Sequence, residues 1–358
     1  MSNQPGSKHP ERTGARTTAV RLVGGLLASA AVLGGCSSNP IDVPPPTIEP
    51  ARPAVSPPVT AIPAGQVLPL AAKPLAAVFD SATKSLVVPT PGSDARGPAS
   101  LALFRPDGSP RIVPLPAAVT AITGDRHGTV YLSTRGGVIT VDLATGTATR
   151  RQVTGQSDTD FTAIARREDG RLVLGSSGGD AYTLDATPAR DLTVSHTASI
   201  FAHVDAIVTV GEIAVVLDRA QTSVTALDPQ GAPQQALRAG LGATNIAADA
   251  VGRVLVTDTR GGQLLVFSVD PLVEREAYPV PESPYGVAGS PGLVWVSQTA
   301  ANTVVGYDLA TGIPVEKVRY PTVQQPDTLA FDDDSGTLYV VSGSGGGVQV
   351  IPNAAGAR

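Results

Sequence analysis

The chain of 358 residues is short of several things at once. It has one cysteine, one tryptophan, four histidines, and 4% aromatic residues. One cysteine excludes an intramolecular disulfide and any cysteine-rich metal cluster, so stability must come from burial alone. No run of basic residues occurs, and the balance is acidic, with 26 Lys+Arg against 31 Asp+Glu. That excludes the basic footprint of a nucleic-acid-binding surface. No uncharged apolar run reaches the roughly 20 residues that a membrane-spanning helix needs. No segment sustains a 3.6-residue apolar period, which argues against a helical body. A P-loop and a nicotinamide-binding fingerprint are also missing.

What is present begins with the place of the single thiol. Leu22 to Val32 is uncharged and apolar, and before it stand Lys8, Arg12, Arg16 and Arg21 against one acid, Glu11. A basic region followed by a short apolar region is the anatomy of an export signal. The run ends in Leu33-Gly34-Gly35-Cys36, which resembles the lipobox of bacterial lipoproteins. The resemblance implies a signal at 1–35 that is removed and a Cys36 that becomes the first residue of the mature chain, its thiol carrying a diacylglyceryl group and its new amino terminus often acylated. A thiolate is the nucleophile that thioether formation requires, and two or more acyl chains anchor stably where one is marginal. Removing four bases and one acid leaves 22 Lys+Arg and 30 Asp+Glu, a net charge of −8. Acyl chains must then hold the membrane without polybasic help.

Residues 36–65 read as an acylated cysteine and a linker. Nine prolines fall between Pro40 and Pro63. Such a segment forms neither a helix nor a central strand. It is expected to be a polyproline-like spacer that holds the folded body off the bilayer.

From Gln66 onward, short β-branched runs recur between Gly, Asp, Thr and Pro turns. Ser283 to Pro321 shows one unit clearly, reading as four strands, and its Asp-Leu-Ala-Thr-Gly turn at Asp308 to Gly312 recurs at Asp142 to Gly146. The apolar centres of successive first strands are Ala77, Ile122, Ile164, Ile207, Ile246, Val287 and Leu329, spaced 45, 42, 43, 39, 41 and 42 residues apart. Seven four-stranded units at a period of about 40 predict an all-β fold, a seven-bladed β-propeller over 66–358. A six-bladed ring is the alternative, if the irregular first unit is not a blade. The seventh unit lacks a fourth strand, while Gln66 to Ala71 is an orphan apolar run ahead of the first. Pairing the two is expected to close the ring.

The units resemble YVTN/NHL-type seven-bladed propellers, through "apolar-Ala-x-x-x-Gly-x-apolar-Tyr/Trp-Val-Ser" followed by "Asn-x-Val-x-x-Tyr-Asp-x-x-Thr-Gly". The resemblance covers roughly Gln66 to Ile351 and implies a fold more than a chemistry. The high Ala, Gly and Pro usage is consistent with an actinobacterial or mycobacterial source.

In such propellers, ligands meet the mouth of the central channel. Residues just before the first-strand centres would line it, giving a polar arc of His203, Asp205, Asn245, Tyr285 and Asp327, with Leu75 at the first blade. The arc suits a polyol or a divalent cation such as Ca²⁺ held through oxygens. Gluconolactonase-type propellers use Glu, Asn and Asp on one metal; here Leu75 and the absence of Glu depart from that set. Gly175-Ser176-Ser177-Gly178-Gly179 matches a nucleophile elbow, but with no helix to follow it reads as a loop. Asp332-Asp333-Asp334-Ser335-Gly336 lacks the later Glu of a calcium-binding loop and reads as a tight turn. The combined expectation is a lipid-anchored module at the extracytoplasmic face of the cell membrane. It would bind or scaffold a protein or cell-envelope partner, with no resident cofactor and no catalytic residue assigned. The rival is a lactonase- or hydrolase-like enzyme at the channel mouth, dependent on a divalent metal.

Overall fold

The computed structural model describes residues 46–70, 73–92, 98–105, 110–186 and 191–356. The signal segment, the lipobox residues Leu33, Gly34 and Gly35, and Cys36 lie outside the described residues. Over the described residues the chain is strand and turn without helix.

The strands form seven four-stranded antiparallel sheets, each built from consecutive strands except the last. Blade 6 shows the plan: strand A Pro284–Gly289, B Val294–Gln298, C Thr303–Asp308 and D Val315–Pro321. The seven A strands are Val78–Asp80, Ala121–Gly124, Phe161–Arg166, Ala206–Val210, Ala243–Ala248, Pro284–Gly289 and Pro326–Asp332. Each touches the next, and the seventh touches the first, so they ring a central channel. Blade 1 has its full four strands (Val78–Asp80, Ser85–Thr90, Ser100–Phe104, Arg111–Pro114), which removes the six-bladed alternative.

The ring closes as the orphan run suggests. Gln66–Leu68 pairs antiparallel with Val348–Ile351, with Gln66 opposite Val350 and Leu68 opposite Val348. The strand stops before Pro69, which has no N–H to offer a ladder.

Seven hydrophobic clusters fill the molecule, one between each pair of adjacent blades. Every blade is therefore covered on both faces, and the middle strands are buried along their length: Ser85–Thr90 and Val294–Gln298 have no exposed residue. This explains continuous apolar runs where a sheet with one wet face would alternate. Each fully buried Leu, Val or Ile stabilises the fold by about 1.5–3 kcal/mol. The D strands stand at the rim, largely exposed and charged, as in Thr147–Gln152 and Pro233–Arg238. Polar residues on an open edge discourage sheet-to-sheet pairing. Trp295 lies wholly buried between blades 6 and 7, stacked on Phe331 at 6.0 Å, and its Nε1 donates to Ser290 Oγ at 3.0 Å.

The linker departs from the expected free spacer. Residues 46–64 are extended but lie against the ring as a strap. Ile48 N donates to Ala220 O at 2.7 Å, and at the other end Ala64 N donates to Pro321 O at 3.1 Å. The physical reason is that an extended proline-rich chain makes no internal hydrogen bonds. Its carbonyls are left to accept from whatever donors the blades present.

Candidate functional site

The channel mouth is built from two kinds of segment, the turns that join strands B and C and the connections that lead into each strand A. Both are held by the last residue of strand B. In blade 5 this is Asp258, fully buried, whose Oδ2 accepts Leu241 N at 2.8 Å while Oδ1 accepts Gly242 N at 2.8 Å and Gly261 N at 2.9 Å. In blade 4 the equivalent Asp218 accepts Ala202 N at 2.7 Å and His203 N at 3.2 Å through Oδ2, and Gln221 N through Oδ1. The approach is close: a Cβ on Gly240 or Gly261 would stand 2.0 Å from Asp258 Oδ2. Glycine is the residue that such proximity admits.

Of the residues two places before the strand centres, Thr120, Thr162 and Thr244 turn their hydroxyls into the framework. Thr120 Oγ1 donates to Phe161 O and Thr162 Oγ1 to Val204 O, each the carbonyl of the next blade, at 2.5 Å. Thr244 is buried and bonded to Thr257 and Thr259. Leu75 and Asp205 line the channel, a cavity of about 720 Å³ that also contains Arg126, Arg166, Arg219 and Ile246. Tyr285 and Asp327 line a second cavity of about 610 Å³ at the mouth, with Lys73, Arg219, Gln325 and strap residues Pro50 to Val55 except Ala51. Arg219 belongs to both.

His203 and Asn245 are half-buried and line neither cavity. His203 Nδ1 lies 3.3 Å from Asp205 Oδ1, an oblique approach that forms an ion pair without a well-formed hydrogen bond. Asp205 Oδ2 accepts the backbone N–H of Arg219 at 2.8 Å. Pairing with Asp205 raises the His203 pKa, against the opposing effect of partial burial. Asn245 lies beside the Tyr285 hydroxyl, and its Nδ2 is buried without a hydrogen-bond partner. Burial raises the Tyr285 pKa, and Asp327 adds to this while Arg219 opposes it. Asp327 is also pushed up by burial, against a hydrogen bond from Gln325 Nε2 at 2.9 Å and the nearby charge of Lys73. A Cβ at Gly343 would stand 1.9 Å from Asp327 Oδ2, so this carboxyl rests directly on the backbone of blade 7.

The five arc residues are thus at one mouth, in a mixed field. Arg219 and Lys73 stand among the carboxylates, and both were missed in the sequence. Arg219 follows Asp218 at the end of strand B, and the pattern Asp-Arg there against Asp-Thr in blade 5 was the available signal. Among the described residues, no three His, Cys, Asp or Glu side chains converge to hold a metal ion.

The other sequence candidates are structural. Ser176 ends strand B of blade 3, is buried, and its Oγ accepts Asp180 N at 3.1 Å in a strand-to-strand turn. His196 lies on the outer strand Val194–Ser199. Asp332 caps its own turn, accepting Asp334 N at 3.1 Å, while Asp333 pairs with Arg126 at 3.2 Å and Asp334 with Lys84.

No protein-family model matches the chain, and no curated protein does. Solved structures do. The virginiamycin B lyase from Staphylococcus aureus aligns with a TM-score of 0.65 at 13% identity, over 80% of this chain and 98% of that one. A chain of a mitotic checkpoint complex aligns at 0.65 and 11% identity, over 85% and 98%. A chain of the Kuenenia stuttgartiensis hydrazine synthase aligns at 0.62 and 13% identity, over 83% and 99%. At such identities the likeness is one of fold: this chain is a seven-bladed β-propeller of an architecture that serves lyases and multiprotein complexes alike.

Proposed function

We propose that the protein is an exported binding module, anchored by lipid at Cys36 to the extracytoplasmic face of the cell membrane, whose channel mouth meets a protein or cell-envelope partner. The observation that carries this reading is the mouth itself. It is polar, set by rigid caps, and already engaged with a peptide segment through hydrogen bonds from several blades. Similarity to a chain within a checkpoint assembly is consistent with a partner-binding role. The acidic surface and the absence of a basic run disfavour nucleic acid.

A second reading has one observation in its favour. Tyr285 and Asp327 are both raised in pKa at one cleft, with His203 raised beside Asp205 at the same mouth, and perturbed titratable groups gather at catalytic sites. An enzyme at the mouth, a lyase like its structural neighbour or a lactonase, would use Asp205, Asn245 and Asp327, with a divalent ion. Arg219 among these carboxylates works against a divalent cation.

The two readings separate in one pair of measurements. The binding-module reading expects crosslinking in cells to capture one envelope protein and Ca²⁺ to leave the melting temperature unchanged. Strong stabilisation by Ca²⁺, abolished in Asp327→Ala, with no captured partner, would replace it with the enzyme reading. For the anchor, Cys36→Ser is expected to leave the detergent phase; continued partition there would remove the lipid anchor.

A further inference from the structure

The strap is held in an unusual way. Nearly all of its contacts are made to its main chain. Arg260 donates to Glu49 O at 2.7 Å and Arg219 to Ala51 O. Ser283 Oγ accepts Ala54 N at 3.0 Å. Gln325 grips both sides of the next peptide pair, Nε2 donating to Ala54 O at 3.1 Å and Oε1 accepting Ser56 N at 3.0 Å. Gln324 donates to Ser56 O at 3.1 Å and Asn302 to Pro57 O at 2.8 Å. Donors from blades 4 to 7 therefore follow an extended backbone from Glu49 to Pro57.

Among the described residues, Ser56 alone of the strap's side chains donates a hydrogen bond to the ring, from Oγ to Thr299 O at 2.5 Å. Only Ala51 and Ser56 are buried; Glu49, Pro50, Arg52, Val55, Pro57 and Pro58 are exposed. Beneath the strap lies the cavity of about 610 Å³, which Ala54 lines on the strap's side and which reaches Lys73, Tyr285 and Asp327. The gripping residues are themselves set in a costly geometry. Ser283, Asn302 and Gln325 have φ of 59°, 49° and 57°. Non-glycine residues adopt this left-handed region sparingly, and such strain gathers at binding sites.

We infer that this face is a groove for an extended, proline-containing peptide, that residues 48–57 are its occupant within the chain, and that a partner protein binds by inserting an extended Ala/Pro segment in their place. This deepens the binding-module reading and rests on it. Recognition through main-chain carbonyls suits proline-rich chains, whose polyproline-II form is preformed and leaves its carbonyls free. The partner's specificity comes from the cavity below. A side chain larger than the strap's Ala54 would reach Tyr285, Asp327 and Lys73. The strap sets a threshold, because a tethered occupant competes at high effective concentration.

The test uses the full chain with a protease site placed in the exposed stretch Val59 to Ile62, cut after folding. The probe is a labelled peptide of residues 46–58. The uncut chain is expected to bind it at least about ten-fold more weakly than the cut chain, since the tethered strap competes. In the cut chain, Gln325→Ala, which removes two contacts to the peptide, is expected to weaken binding roughly ten-fold. A peptide of the same proline spacing that keeps Ser56, whose Oγ donates to Thr299 O, with its other residues changed to Ala, is expected to bind comparably. If the cut chain melts like the uncut one yet binds no peptide, the groove is refuted. Binding that Gln325→Ala leaves unchanged refutes it as well. Neither result touches capture of a partner in cells, so this inference and the binding-module reading fail separately.

Discussion

Asp258 offers a stringent check on how the mouth is built. Its carboxylate is fully buried and accepts three backbone N–H groups from two segments, the connection at Leu241 and Gly242 and the turn at Gly261. Asp258→Asn keeps shape and volume. Its one oxygen is expected to stay on the Gly242 and Gly261 N–H groups, which share Oδ1, so the new NH₂ must face Leu241 N–H. A donor against a donor in a buried site leaves both unmade, a cost of about 1–3 kcal/mol. Asp258→Ala strips all three N–H groups of their partner, and about 3–5 kcal/mol is expected. Urea unfolding followed by far-UV circular dichroism reads both. Trp295 fluorescence reports blades 6 and 7 in the same experiment, because it is the only tryptophan. The blade 5 cap should matter there too if the ring unfolds as one unit. An Asn variant within about 0.5 kcal/mol of the parent would refute the claim that this carboxylate organises the mouth.

Trp295→Ala removes the largest fully buried side chain from the cluster between blades 6 and 7 and leaves Ser290 Oγ without that donor; a loss of about 3–5 kcal/mol in chemical unfolding is expected. His203 has a pKa raised by Asp205, so its pairing stabilises the fold fully below the ordinary imidazole range and fades as pH rises through the higher folded-state value. Melting temperatures between about pH 6 and about pH 8 should therefore fall more in the parent than in His203→Gln, and equal slopes would remove the pair as a contributor. Gly343→Ala places a Cβ against Asp327 Oδ2 and must displace that carboxyl; it is expected to lower the raised Asp327 pKa by exposing it, measurable by carboxyl NMR titration, while an unchanged value would contradict the crowding.

The fold was legible because a propeller repeats its arithmetic. Each blade buries both faces of strands B and C, so Val130, Leu174, Val216, Val256 and Val296 recur as parts of dense apolar runs at a fixed period. The missing fourth strand of blade 7 and the orphan run at Gln66 to Leu68 are two halves of one sheet, and the mismatch between them pointed to the closure. The site was legible only in part. Asp205, Tyr285 and Asp327 face the cavities as their register predicts, and Thr120 and Thr162 line the channel too, but their hydroxyls, like that of Thr244, are consumed by framework bonds. Their short hydroxyls reach carbonyls or hydroxyls nearby. In the sequence the strap has only the look of a spacer, because proline content speaks only of what a segment cannot form. Main-chain hydrogen bonding to side chains far along the sequence has no local signature: Ala54 meets Ser283 and Gln325. Asp218 and Asp258 carried a signal in their shared place at the end of strand B, visible once the blades are aligned.

The most direct test of the account places a photocrosslinking residue at Val55, which is 92% exposed on the strap at the mouth, and separately at Val251, which is 74% exposed in the turn between strands A and B of blade 5, at the opposite face. Irradiation of cells carrying the full chain should give one discrete adduct with an envelope protein from Val55 and none from Val251. An adduct from Val251 alone, or from neither position, would contradict the claim that the channel mouth is where this propeller meets its partner.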